Sequence, residues 1–571
     1  MKYTNAVRAF GGIDERHVFS DDLALSPYMR NFRVTENRTL QKRYGITTLI
    51  PAGETVTGLW SGYLGGERLF LYTAGGKLFS VEQETGIPVE IGDVGGGRNT
   101  LFEFGRTVYI KNQNKYTRFD GRTLSEVQGY TPLVAIGCDA NGAGEPFEDV
   151  NMLSARRRVQ FSCDGTSTTY RLPEKNIKRI VSVKENGSIY ALNCTVDLEK
   201  GTVTPEYPFS KGINNIEVEY EVYENRADVI LNASGVMLFG GDTDGHVFLW
   251  GNPDYPAYRF HSELADGLPS AEYFPENNYT IIGDSEITDI ISQYDRQLIF
   301  TKDRAFYSYR ELQTDTLGNV YASFPVYNLN GEKGNLLKNT GCIMNNEPVT
   351  LCADGLNRWS STAVENEKNA VCFSGAVGKS MRRLLASGDL SGVRLFNLRA
   401  TGELFLIAGE TAYIYNYRVG AWYVYDNFAA DCMTECDGTL FFSRGNRILF
   451  LDETSNFDNE GMIHACWESP FVSFGGGRRS KVTEIGFSVR AGGTPSFVWS
   501  YQTDRGEPLS AVTAVSPENY EHRVFDVHFR PPVPTSAYLK LKLNENDYAS
   551  CEILSLQASA VGKGTYGRKG L

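Results

Sequence analysis

The sequence predicts an all-β fold, and three observations predict it. Aromatic residues make up 12% of the 571 residues, including 32 Tyr and 32 Phe. Such side chains fit half-buried pleated surfaces. Glycine occurs 58 times, and glycine supplies the backbone angles that tight turns need. The third observation is a repeat: short apolar strands meet at Gly, Asn or Asp turns, recurring about seven times at a spacing of about 35 to 55 residues. That period suits the four-stranded blades of a β-propeller. The expectation is a β-propeller of about seven blades, with an inserted small β domain and a C-terminal β-sandwich.

Residues 1–50 lack a period and read as an extended N-terminal segment, with a turn at Ser26-Pro27 and a stop at Gly45. Residues 51–130 form the first part of the propeller. Runs 69–72 and 77–81 turn at Ala74-Gly75-Gly76, and runs 101–104, 107–111 and 116–119 follow. Residues 131–225 break the rhythm. A loop, CDANGAGEPFEDV, leads into strands separated by turns at Cys163-Asp164-Gly165, Glu185-Asn186-Gly187 and Glu199-Lys200-Gly201. This stretch reads as the inserted β domain.

Residues 226–455 resume the repeat as the second part of the propeller, with turns at Lys302-Asp303-Arg304, Asp354-Gly355 and Arg444-Gly445-Asn446. If the blades close one ring, residues 39–49 are the nearest spare strand to complete a shared blade. Residues 456–571 change to period-two alternation, purest in Tyr538-Leu539-Lys540-Leu541-Lys542-Leu543. That pattern gives one wet face and reads as the β-sandwich. The tail GKGTYGRKGL is Gly-rich and basic, and is expected to be mobile. Helix is scarce; the best candidates are 377–385 and, if it is not a strand of the fourth unit, 287–292.

Hydrophobic residues at 41% and charged residues at 22% give an ordinary globular balance. The net charge of −13 argues against a protein that grips duplex phosphates, which needs a basic footprint. It is compatible with a wall that DNA slides past. No apolar leader and no run of about 18 apolar residues is seen, so neither export nor a membrane span is expected. The ten cysteines are scattered and are expected as free thiols.

Several constellations resemble chemical sites. Gly378-Lys379-Ser380 matches the end of a phosphate loop, but Phe373 stands where its first glycine belongs. Gly562-x-Gly564-x-x-Gly567 has dinucleotide spacing without the βαβ unit that makes it work. Asp242-Thr243-Asp244-Gly245 opens like a calcium loop, yet Pro253 replaces the twelfth-position Glu. Cys432, Cys436, His464 and Cys466 have poor zinc spacing. The six histidines, 17, 246, 261, 464, 522 and 528, are dispersed, and no carboxylate pair is singled out for glycoside cleavage. Arg156-Arg157-Arg158 is the strongest basic run and reads as a solvated domain entry or a subunit contact. Gly251-Asn252-Pro253-Asp254-Tyr255-Pro256 reads as a rigid loop. No catalytic, cofactor or metal residue is assigned.

Several segments together resemble one family. They are Gly11-Gly12-Ile13-Asp14, Ser26-Pro27-Tyr28-Met29-Arg30-Asn31-Phe32 and Leu40-Gln41-Lys42-Arg43-Tyr44-Gly45, followed by Trp250-Gly251-Asn252-Pro253-Asp254-Tyr255-Pro256 and Arg259-Phe260-His261-Ser262. Val196-Asp197-Leu198-Glu199-Lys200-Gly201-Thr202-Val203 in the insert and Phe300-Thr301-Lys302-Asp303-Arg304-Ala305-Phe306-Tyr307 are similar too. The family is the tail nozzle or hub proteins of short-tailed bacteriophages, also called tail tubular protein B or packaged-DNA stabilisation proteins. The C-terminal region matches it only in order and class.

The resemblance implies a non-enzymatic virion structural protein, made in the host bacterial cytoplasm and built into the tail. It implies a homo-oligomeric ring, hexameric in that family, below the portal and adaptor. That ring extends or closes the DNA exit channel, carries fibres or a needle, and passes double-stranded DNA without sequence recognition. It implies no catalytic residues. The alternatives are a receptor-binding or baseplate virion protein, a propeller-fold glycan hydrolase or depolymerase, and a cellular propeller scaffold.

Overall fold

The computed structural model describes residues 2–562 apart from 83–85, 191, 241–244, 315–319, 361–368, 460, 475, 493–494, 505, 507–509 and 516–522. Among the described residues, seven four-stranded antiparallel sheets follow one another as propeller blades. Blade 1 comprises Val56–Leu64, Glu67–Ala74, Lys77–Val81 and Pro88–Asp93, and blade 2 runs from Thr100–Phe104 to Leu124–Glu126. Blades 3 to 6 begin at Gly235–Phe239, Asp289–Gln293, Cys342–Met344 and Arg394–Leu398. Blade 7 takes Met433–Cys436, Thr439–Arg444 and Arg447–Asp452, and its fourth strand is Gly45–Pro51 from the other end of the chain. That strand overlaps the spare segment expected from sequence. It closes the ring by hydrogen bonds between residues about 400 positions apart.

Aromatic side chains fill the wedges between neighbouring blades. Phe70 meets Phe441 at 5.2 Å between blades 1 and 7, Phe300 meets Trp359 at 5.1 Å between blades 4 and 5, and Phe428 meets Phe442 at 4.7 Å beside blades 6 and 7. Fully burying such a side chain contributes about 1.5–3 kcal/mol.

The insert forms a six-stranded sheet whose centre is Arg156–Cys163 paired with Gly212–Glu221, plus a three-stranded sheet. Its own core includes Val159, Phe161, Ile216 and Tyr220. A short helix α1, Ala227–Leu231, returns the chain to blade 3. Helix α2, Gly378–Ala386, follows blade 5. The other helical candidate, near 287–292, is the strand Asp289–Gln293, because it is the innermost strand of blade 4.

The C-terminal region is a β-sandwich. Leu539–Asn546 alternates as its sequence requires, with Leu539, Leu541 and Leu543 buried. The N-terminal segment belongs to both sheets of this sandwich. Lys2–Val7 and Leu40–Lys42 pair with Ser550–Gly562, while Tyr28–Arg30 pairs with His464–Glu468. One continuous core runs through the sandwich, this segment and blades 5 to 7.

Two buried ion pairs fix that joint. The Arg43 guanidinium donates to both Asp458 oxygens at 2.8 and 2.6 Å, and Asp458 also accepts from the Ile46 amide at 3.0 Å. Lys42 Nζ lies 2.8 Å from Glu545 in the sandwich. Gly45 sits where a Cβ would come within 2.1 Å of the Phe457 carbonyl oxygen. Residues 40–45 are thus a structural joint.

Candidate functional site

The innermost strands of the seven blades converge on a central channel, and their first residues line one mouth of about 410 Å³. Gly58 comes from blade 1, Arg98 to Leu101 from blade 2 and Ser234 to Val236 from blade 3. Asp289 and Ile290 come from blade 4, Asn339 to Gly341 precede blade 5, Arg394 to Phe396 open blade 6, and Asp431 to Met433 open blade 7. The common cause is register: each blade starts at its inner strand, so each blade presents its first residues to the same end.

Asp289 stitches blade 4 to blade 5. Its carboxylate accepts from the Thr340 amide at 3.0 Å, the Gly341 amide at 2.5 Å and its neighbour Ile290 at 3.0 Å. Burial pushes its pKa up to about 7, against the pull of these donors. Gly341 is required here, since a Cβ would come within 2.8 Å of Asp289 Oδ2. The mouth also holds two arginines. Arg394 donates to the Ser391, Val393 and Asp431 carbonyls at 2.8, 3.0 and 3.3 Å. Arg98 is exposed and makes no hydrogen bond or ion pair among the described residues. Burial first, and then the Arg98 charge, lower the Arg394 pKa.

A larger cleft, about 1030 Å³, lies on the loops of blades 4 and 5. Its charges are largely matched, with Lys333 to Asp354 at 2.8 Å and Lys338 to Glu286 at 2.7 Å. Burial would raise the Asp354 pKa, but Lys333 and Asn357 bring it below the ordinary value. A general acid needs the opposite shift.

Three of the motifs singled out in the sequence have structural partners. Gly378-Lys379-Ser380 does open helix α2, but the Glu15 carboxylate occupies its N-terminus, accepting from the Lys379 and Ser380 amides at 2.7 and 3.0 Å. Arg156 and Arg157 pair with Glu219 and Glu174, and Arg158 lies 3.7 Å from Asp266. In the 251–256 loop, the buried Asn252 donates to the Val229 carbonyl of α1 at 2.8 Å and accepts from the Asp254 amide at 2.8 Å. The loop therefore holds the exit of the insert against blade 3.

Cys432 precedes and Cys436 ends the first strand of blade 7, whereas His464 and Cys466 lie in the sandwich. No group of three or more His, Cys, Asp or Glu side chains suited to a metal comes together among the described residues. All ten cysteines are free thiols. Residues 242–244, His522 and residues 563–571, with most of the dinucleotide-like spacing, lie outside the described residues. Among the described residues, no helix is long and apolar enough to cross a membrane.

Sequence reading missed the channel mouth and one histidine contact. His246 and His261, dispersed in sequence, meet at 6.2 Å in blade 3. A signal for the mouth was present. Arg98, Asp289, Arg394 and Asp431 stand within two residues of an inner-strand start, so aligning the repeats on that position groups them.

No protein-family model and no curated protein matches the chain. Among solved structures, the chain is similar to the AfRom2 CNH domain, with a TM-score of 0.35 and 9% identity over 72% of this chain and 99% of that one. It is similar to an exo-beta-1,3-galactanase from Phanerochaete chrysosporium, with a TM-score of 0.17 and 9% identity over 81% of this chain and 95% of that one. It is also similar to the extracellular domain of a putative one component system from B. thetaiotaomicron, with a TM-score of 0.17 and 9% identity over 90% and 80%. Likenesses this distant carry no functional argument, and the propeller is read from its own strand pairing.

Proposed function

We propose that this chain is a virion structural protein that assembles as a closed ring, a tail nozzle or hub through which genomic DNA is retained or passed. No catalytic role is assigned to it. The observation that carries the reading is the apolar surface of the insert and of the outer blade hairpins. At the end of the insert, Ile213 is 87% exposed and Ile189 and Tyr207 are exposed as well. The segments that carry them are hydrogen-bonded to neighbours in the insert, Asn186 through its amide to the Asn215 carbonyl and Tyr190 through its hydroxyl to the Tyr207 carbonyl. On blade 4 and its hairpin, Tyr294, Leu312 and Tyr321 are exposed. Large apolar side chains left exposed on the insert and on a blade hairpin are candidates for cover by another protein. A ring needs a head-to-tail contact that closes, and an insert on one side of a rigid propeller supplies one half of it. The net charge of −13 suits a wall that repels DNA. The family resemblance in residues 11–45, 196–203, 250–262 and 300–307 supports the same reading.

Mass photometry with negative-stain imaging tests it. The expected result is a closed ring at a multiple of 63.5 kDa, lost in Ile213→Asp while the melting temperature is retained. A monomer at all concentrations that cleaves polysaccharide would overturn it.

A further inference from the structure

The channel mouth has a chemistry that the ring reading does not use. Two arginines from blades 2 and 6, three blades apart around a ring of seven, face one space of about 410 Å³. Neither has a carboxylate within ion-pair distance among the described residues, whereas Arg30, Arg43, Arg118, Arg157 and Arg418 each have one. Arg98 spends no donor on the protein, and Arg394 spends its donors on carbonyls alone. Two acids share the mouth, and neither lies within ion-pair distance of these cations, although the Asp431 charge reaches Arg394 from further away. Asp289 is buried, with both oxygens taken by amides, and Asp431 accepts from the Gly445 amide at 2.9 Å. Thr340 Oγ1 and Trp250 Nε1, both in the wall, are buried without a protein partner.

Two guanidinium groups that repel each other across a channel are stabilised together by an anion between them. Guanidinium forks match the oxygens of carboxylate and phosphate. The volume fits a small molecule and excludes a macromolecule. We propose that the mouth of the propeller channel is a binding site for a small oxyanion, a phosphate or carboxylate group, held between Arg98 and Arg394. The site does not depend on ring assembly.

Calorimetric titration of the full-length protein with inorganic phosphate, with citrate and with ATP tests it, each arm separating one source of the oxyanion. Saturable binding of at least one probe is expected, weakened tenfold or more in Arg98→Ala and less in Arg98→Lys. Arg98 is exposed and unbonded, so the circular dichroism and melting temperature of Arg98→Ala should match the parent. An Arg98→Ala/Arg394→Ala variant should bind none of the three. No saturable binding of any probe, or a loss below threefold in that double variant, overturns the proposal.

Discussion

The joint between the N-terminal segment and the sandwich, and the mouth of the propeller channel, use the same side chains in opposite ways. At the joint, Arg43 and Lys42 are almost fully buried, and each has a carboxylate, Asp458 and Glu545. At the mouth, Arg98 and Arg394 have none within ion-pair distance among the described residues. Removing two charges from water is costly, and the cost is offset only when geometry and hydrogen bonds are complete. Arg43 and Asp458 meet that condition and hold the joint, whereas burial still pushes the Glu545 carboxyl up to about 7 against the pull of Lys42. Cations left unmatched beside open space remain available to something that is not part of the chain. Lys111 stands between the cases: it is buried, and its ammonium donates to the carbonyls of Leu231 and Ala233 at the end of α1.

The sharpest way to break the comparison is to unmatch the joint. Asp458→Ala strands Arg43 and should cost about 3–5 kcal/mol in denaturant unfolding. The double change Arg43→Met/Asp458→Leu removes both charges and should cost less than Asp458→Ala alone. A loss under about 1 kcal/mol for the single change would mean that the pair does not hold the joint.

Lys111 tests the intermediate case through pH. Burial brings its pKa down from 10.5 to about 7. Between those values the unfolded chain binds a proton that the folded chain does not, so stability from this group is present above pH 10.5 and is lost as pH falls towards 7. The swing has an upper bound of about 5 kcal/mol, and on the order of 2–3 kcal/mol is expected after relaxation. Lys111→Met should flatten unfolding free energy across that window, and an unchanged slope would remove Lys111 as its source.

The smallest effect is expected at the mouth. Arg98→Ala should change stability by less than about 0.5 kcal/mol, as an exposed side chain with no partner does. A larger loss would show that Arg98 serves the fold, and would place the mouth with the joint.

Much of the propeller was legible because its signal is local. The pairing of Thr439–Arg444 with Arg447–Asp452 through Arg444-Gly445 is written in adjacent residues. So is the alternation of Leu539, Leu541 and Leu543. The N-terminal strands were not legible as part of the sandwich. Tyr28–Arg30 and Leu40–Lys42 are three residues each, too short to show a period, and they pair with strands at 464–468 and 550–562. The histidine contact in blade 3 was hidden for a related reason, since it forms across neighbouring strands that the sequence separates.

The sequence by itself determined the all-β class, the repeated hairpins and the broken rhythm of the insert, because strand alternation and turn chemistry act over a few residues. The segment at 39–49 was already expected to complete a shared blade, and the tertiary structure fixed that strand as Gly45–Pro51; it alone decided that Lys42 and Arg43 are buried against Glu545 and Asp458, and that Arg98 and Arg394 face one space. Those arrangements bring together residues separated by hundreds of positions. They follow from closing a circle of blades and from pairing the N-terminal segment with the sandwich, which no local pattern encodes.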